Sequence, residues 1–211
     1  MSDTYIIGGV RAGDTSVKIE VITPSGDVKR HRLTLKIWES FALSSGDVIS
    51  RETYRRIAEY SEMCEAVTKT LRYLSEGTYS IKALTDKLCQ KGFNKDSAEA
   101  AVALALKRGL IDEYADACDI AEKQASRLHR GPSRIARDLT SHGYPSDLSR
   151  RAAESVPMSV YDEALDICFA KKCKNGIPEE KGERDRVIAS LVRLGFSVGS
   201  IIKKMNKLSE D

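Results

Sequence analysis

Three short segments of this chain are copies of one another. Leu88-Cys89-Gln90-Lys91-Gly92-Phe93 matches Leu139-Thr140-Ser141-His142-Gly143-Tyr144, and both match Leu191-Val192-Arg193-Leu194-Gly195-Phe196. Gly92 and Gly143 lie 51 positions apart, and Gly143 and Gly195 lie 52 apart. Each Leu follows another apolar residue by four positions: Leu84, Ile135 and Val187. Self-similarity at a near-constant period marks a repeat array, whose units bury their apolar faces against one another. The motif has a physical reading. An apolar pair at i and i+4 faces a core from one side of a helix. The Gly adopts a positive φ that lets the chain turn sharply, and the aromatic residue anchors that turn. A period near 50 residues leaves room for about three short helices per unit.

The expected fold is therefore mainly α: tandem three-helix repeats forming an elongated, curved array, over 47–112, 113–158 and 159–211. A small β region precedes it, over 1–46. There Val17, Ile19 and Val21 alternate with Lys18 and Glu20, and Leu33, Leu35 and Ile37 alternate with Arg32, Thr34 and Lys36. Period-two alternation on either side of Pro24-Ser25-Gly26-Asp27 predicts an antiparallel hairpin. Tyr5-Ile6-Ile7 adds a third strand, ended by Gly8-Gly9. So small a sheet needs a packing partner, which Trp38, Phe41 and Leu43 supply.

From Asp47 the pattern turns helical, with Val48, Tyr54, Ile57, Ala58, Cys64, Val67, Leu71 and Leu74 at roughly helical spacing in one long helix or two. Gly77 ends that stretch, and Thr78 and Ser80 are candidate N-caps, as is Asn94 for the helix that Gly109 ends. Gly131-Pro132 marks a helix boundary with Pro at the first helical position. Asn175-Gly176-Ile177-Pro178 with Glu179-Glu180-Lys181-Gly182 is a surface loop.

Phosphate-loop, dinucleotide-binding and zinc-protease signatures are missing: the sequence holds no GxxxxGK[ST], GxGxxG or HExxH. The cysteines, Cys64, Cys89, Cys118, Cys168 and Cys173, are odd in number and contain no CxxC, so reduced and mostly buried thiols are expected and a zinc site is not. His31, His129 and His142 form no constellation with them. No catalytic residue, cofactor or metal is expected. No stretch approaches a membrane span and the N-terminus does not read as a signal peptide, which points to a cytoplasmic protein.

Charge is informative through its order. The formal net charge is only +3, and every quarter of the chain is nearly balanced. Within the second unit, Glu113, Asp116, Asp119 and Glu122 come first, followed by Lys123, Arg127, Arg130, Arg134 and Arg137. The third unit repeats the order, with Asp162, Glu163 and Asp166 before Lys171, Lys172 and Lys174. Acid at helix starts and base at helix ends complements the helix dipole, which alone accounts for part of this order. Lys123, Arg127 and Arg130 also fall at i, i+4 and i+7, on one helix face. Arg suits carboxylate and phosphate through its planar fork. Aromatic residues are not interleaved with these cations, so a base-stacking platform is not expected.

The tandem Gly-aromatic turns, Gly109-Leu110-Ile111-Asp112-Glu113-Tyr114-Ala115, and Arg127-Leu128-His129-Arg130-Gly131-Pro132-Ser133-Arg134-Ile135-Ala136-Arg137-Asp138-Leu139 together resemble the bacterial RecX regulatory proteins. The likeness covers roughly residues 60–207. It departs from the family pattern at Glu113, where an Asp is usual, at Tyr114, which stands one position early, and at the longer insert from Asn175 to Glu183. The resemblance implies a non-enzymatic modulator of the recombinase RecA in recombination and DNA repair. Such a protein binds the RecA filament on single-stranded DNA and suppresses its ATP hydrolysis and strand exchange. It implies a monomer with no membrane partner and at most weak direct DNA binding. The candidate contacts for RecA or DNA are Lys123, Arg127, Arg130, Arg134, Arg137, Lys171, Lys172 and Lys174. The competing reading is a DNA-binding regulator using one unit as a helix-turn-helix.

Overall fold

A computed structural model describes residues 4–174, 176–178 and 180–210. Asn175 and Glu179 of the expected surface loop, and residues 1–3 and 211, lie outside the described residues. Four strands come first: β1 (Tyr5–Ala12), β2 (Ser16–Ile22), β3 (Val28–Thr34) and, after the short helix α1 (Leu35–Phe41), β4 (Val48–Ile49). The helices that follow are α2 (Arg51–Glu76), α3 (Ile81–Gln90), α4 (Lys95–Lys107), α5 (Glu113–Leu128), α6 (Pro132–Ser141), α7 (Ser146–Ser155), α8 (Met158–Lys172), α9 (Lys181–Arg193) and α10 (Val198–Glu210). The chain is mainly helical, with one small N-terminal sheet. It divides into two compact units. One runs to Gly77 and takes in Leu84–Leu110; the other takes Thr78–Ala83 and everything from Ile111.

The first unit is built on the sheet, ordered β3-β2-β1-β4 and antiparallel throughout. The hairpin of β2 and β3 forms as the alternation predicts, and three departures have local causes. The sheet has four strands rather than three, because Val48 and Ile49 pair with β1 instead of opening the long helix. β1 runs on through Gly8-Gly9, absorbing them in a register shift between Ile7 and Val10; glycines in a strand often mark such a bulge. β3 stops at Thr34, although Leu35 and Ile37 continue the alternation. The Thr34 hydroxyl accepts the Ile37 N–H at 3.3 Å, an N-cap that starts α1.

Ile7, Val17, Ile19, Val21, Leu33, Ile49 and Ile57 form the core of this unit, with Trp38, Phe41 and Leu43 packed at its margin. The stretch after Asp47 is one helix of 26 residues, α2, capped by the Ser50 hydroxyl. Its Ser61 hydroxyl accepts the Arg32 N–H at 2.9 Å and so occupies the open edge of β3. Asn94 caps α4 through Ser97 and donates from its own N–H and amide to the Glu62 carboxylate, both at 2.6 Å.

The second unit holds two cores. Ala117, Ala121, Ala125, Ile135, Leu139, Tyr144, Ala152 and Ala153 are buried where α5, α6 and α7 meet. The alanine stripe of α5 lets its neighbours approach closely. Ala164, Leu165, Phe169, Leu191, Phe196, Ile201 and Met205 form the other core, among α8, α9 and α10.

The repeated motif has the same backbone each time. Gly92, Gly143 and Gly195 have φ of +95°, +91° and +99°. In each copy the aromatic N–H donates to the Leu carbonyl five residues back, at 3.3, 3.2 and 3.3 Å. Leu88, Leu139 and Leu191 are all fully buried.

Candidate functional site

The expected contact site begins with α5. Asp112 caps this helix, its carboxylate accepting the Ala115 N–H at 3.0 Å. Glu113 and Asp116 fill the first turn and Arg127 the last, so helix-dipole complementarity accounts for these three. Glu113, the residue that departs from the family pattern, has a further contact: its carboxylate accepts the Ile81 N–H at the start of α3, at 2.7 Å.

The helix ends at Leu128, because His129 adopts the left-handed conformation, with φ of +50°. Arg130 is therefore off the helix face it was expected to share with Lys123 and Arg127. Its N–H returns to the Gln124 carbonyl at 3.2 Å. Its guanidinium donates to the Gln124 amide oxygen at 3.1 Å and forms an ion pair with Asp138. Arg134 reaches the other oxygen of Asp138 at 2.9 Å, one turn along α6. Asp138 keeps only 14% of its side chain exposed between the two arginines. The basic block of the sequence thus stops one residue short of its own counter-ion. The signal was present, since Asp138 follows Arg134 at i+4, the spacing of helical ion pairs.

The remaining cations stand free of carboxylate ion pairs among the described residues. Lys123 and Arg127 are exposed on α5. Arg137 is exposed on α6, its Nε donating to the Ser133 carbonyl at 3.2 Å. It lines a surface groove of about 800 Å3 together with Ser133, Thr140, Ser146, Arg150 and Glu154. Arg150, absent from the sequence-based set, pairs with Glu154 at 3.2 Å. Lys171 and Lys172 close the last turn of α8, and Lys174 follows its cap; all three are exposed. Arg130 and Arg134 are the two cations the fold brings together, and it does so by neutralising them.

The thiols read differently from expectation in one respect. All five are free, but only Cys168 is buried, and Cys89 is exposed because it stands one position round the helix from the core residue Leu88. Burial pushes the Cys168 thiol up, against the opposing pull of Lys171 and Lys172. His31 sits half-buried with its ring edge toward Tyr54, centroids 5.6 Å apart, and burial lowers its pKa. Tyr144, the aromatic anchor of the second motif, is pushed up to about 12 by burial first and then by the Asp116 and Glu113 carboxylates. Among the described residues no three His, Cys, Asp or Glu side chains are grouped to hold a metal ion, and no helix is long and apolar enough to cross a membrane. The chemistry this surface offers is recognition of anionic groups by exposed ammonium and guanidinium cations.

No family model matches the chain. Its sequence is 27% identical over 145 residues to the regulatory protein RecX of Stenotrophomonas maltophilia, covering 69% of this chain and 87% of that protein. It is 29% identical over 121 residues to the regulatory protein RecX of Lactobacillus delbrueckii, covering 57% of this chain and 45% of the relative. A crystal structure of regulatory protein RecX has the same fold, with a TM-score of 0.76 at 19% identity over 96% of this chain and 99% of that one. The recurrence of one name among the sequence relatives, joined to the shared fold and the ordered motifs, supports placing this chain in the RecX family.

Proposed function

We propose that this protein is a RecX-type regulator that acts by contact rather than catalysis: it binds RecA filaments on single-stranded DNA and lowers their ATP hydrolysis and strand exchange. One observation carries the contact surface: among the described residues Lys123, Arg127 and Arg137 stay exposed and free of carboxylate ion pairs, while the arginines between them are locked on Asp138. Exposed cations carried on packed helices suit an assembly that presents both carboxylates and phosphates. Lys171, Lys172 and Lys174 form the second contact group. The near-balance of charge in every segment argues against the helix-turn-helix alternative, because affinity for a duplex comes largely from neutralising its phosphates.

The test is RecA-dependent ATP hydrolysis on single-stranded DNA, with the full chain titrated in. The wild type lowers the rate at stoichiometric ratios, and Lys123→Glu with Arg127→Glu raises the concentration needed roughly tenfold, at unchanged helicity, the size expected for two contact charges. Arg130 is a poor choice for this test, since removing it strips Asp138 of a partner. No inhibition by the wild type at excess over RecA overturns the proposal.

A further inference from the structure

The N-terminal sheet carries a second concentration of positive charge, unrelated to the repeat motif. The strand register sets Arg11 opposite Lys18 and Lys18 opposite Arg32. Residues directly opposite in an antiparallel ladder share a face, so these three form one row across β1, β2 and β3. The row lies on the face away from Val17, Ile19, Val21 and Leu33, and all three residues are exposed. With strands about 4.8 Å apart, the row is roughly 10 Å long between its outer backbones. Like charges directly opposite one another destabilise a sheet, and this row contains two such pairs side by side.

Among the described residues no carboxylate forms an ion pair with it. The next row is Glu20 opposite Arg30, and these two are already paired with each other at 3.2 Å. Glu65 of α2 adds one carboxylate at the rim of the shallow depression of about 340 Å3 that Arg11, Lys18, Arg30 and Arg32 line. Arg32 donates from Nε to the Ser16 hydroxyl at 3.2 Å, which holds its guanidinium on the face. Beyond the ion pair, Ile6, Ile22 and Val28 make an apolar row.

We propose that the Arg11–Lys18–Arg32 row is a contact site for the phosphodiester backbone of nucleic acid, bound without regard to base. A line of cations one residue wide fits a linear chain of phosphates. A flat anionic bilayer would press Glu20 and Glu65 against its own charges. The aromatic Tyr5 is stacked on Tyr54 at 4.3 Å between centroids, so it does not serve this face as a stacking surface for bases. The row shares no residue with the proposed RecA contacts, and the proposal does not depend on them.

The experiment is fluorescence anisotropy of a labelled 30-nucleotide oligonucleotide with the full chain, repeated across salt concentrations. Arg11→Gln with Lys18→Gln and Arg32→Gln lowers affinity at least tenfold at low salt. It also flattens the plot of log affinity against log salt by roughly 2, at about 0.7 for each phosphate of a single strand that the protein no longer neutralises. Its thermal midpoint does not fall, because the substitutions remove repulsion. Lys18→Gln alone, at the centre of the row, flattens the plot by about 0.7. The charge-matched control replaces Arg55, Arg72 and Lys95, each exposed and paired with a glutamate four residues on, by Gln; it leaves the slope unchanged. Equal falls in affinity for both triple variants, an unchanged slope in the first, or binding that polyglutamate or anionic vesicles take up while the oligonucleotide fails to compete would each overturn the proposal.

Discussion

Gly92 and Gly195 have the same backbone and opposite surroundings. Their φ angles are +95° and +99°, and each is followed by an aromatic N–H bonded to the Leu five residues back. Gly92 is exposed, and a Cβ built on it would meet nothing within 4 Å. Gly195 is buried, and its Cβ would stand 2.4 Å from the Arg134 nitrogen and 2.7 Å from the Gly131 oxygen. Gly143 lies between these extremes, with the Ser80 hydroxyl at 2.7 Å and the Ala83 nitrogen at 3.3 Å. The motif demands glycine for its dihedral in all three copies; the second demand, for space, is made only where a turn meets the start of another helix. The Gly143 turn meets the start of α3, where Ser80 donates to the His142 carbonyl at 2.8 Å. The Gly195 turn meets the start of α6, where the Gly131 N–H donates to the Leu194 carbonyl at 2.8 Å. His142 and Leu194 hold the same slot of the motif, so two helix starts are received by the same part of the turn.

Alanine substitutions separate the two demands. Gly195→Ala combines a left-handed backbone with a backbone clash and costs above about 3 kcal/mol, read as a fall in the urea midpoint or as failure to fold. Gly131→Ala costs about 2 to 3 kcal/mol by overpacking alone, since its φ is −80° and its Cβ would stand 2.4 Å from the Gly195 carbonyl carbon. A loss from Gly131→Ala below that of Gly92→Ala would break the comparison. Gly143→Ala costs about 2 kcal/mol, because the obstructing Ser80 hydroxyl can rotate away, though it then gives up the His142 carbonyl. Gly92→Ala has the smallest effect, about 1 kcal/mol of left-handed strain with no clash. Denaturant unfolding followed by circular dichroism ranks all four, and the order is the informative result.

The turns were legible in the sequence because each rests on residues close together in the chain: a Leu, a Gly and an aromatic within six positions. Asn94, Pro132 and the hairpin at Pro24–Asp27 were legible for the same reason. A further turn of the kind went partly unread. Gly109 has φ of +68° and Leu110 donates to the Ala105 carbonyl at 3.0 Å, but Leu stands where the other copies have an aromatic residue. The misreadings have local rivals as causes. The alternation through Leu35 and Ile37 continued a strand pattern past a Thr that caps a helix, and Val48 fitted a helical spacing while its backbone paired with β1. At the basic block, counting charges up to Arg137 gave five cations with no acid among them. The fold leaves Arg130 and Arg134 on Asp138, and it moves Arg130 off the α5 face because His129 closes that helix.

The sequence by itself determined where the repeated turns fall, where the long helices run, and which faces are apolar. These follow from dihedral preferences and periodicity, which act over a few residues. Only the tertiary structure decided that Gly195 lies against Gly131, that Asp138 takes two arginines, and that Arg11, Lys18 and Arg32 align across three strands. Those outcomes depend on register and on close approach between residues up to 64 positions apart. Packing and strand pairing set such distances, and no local preference records them.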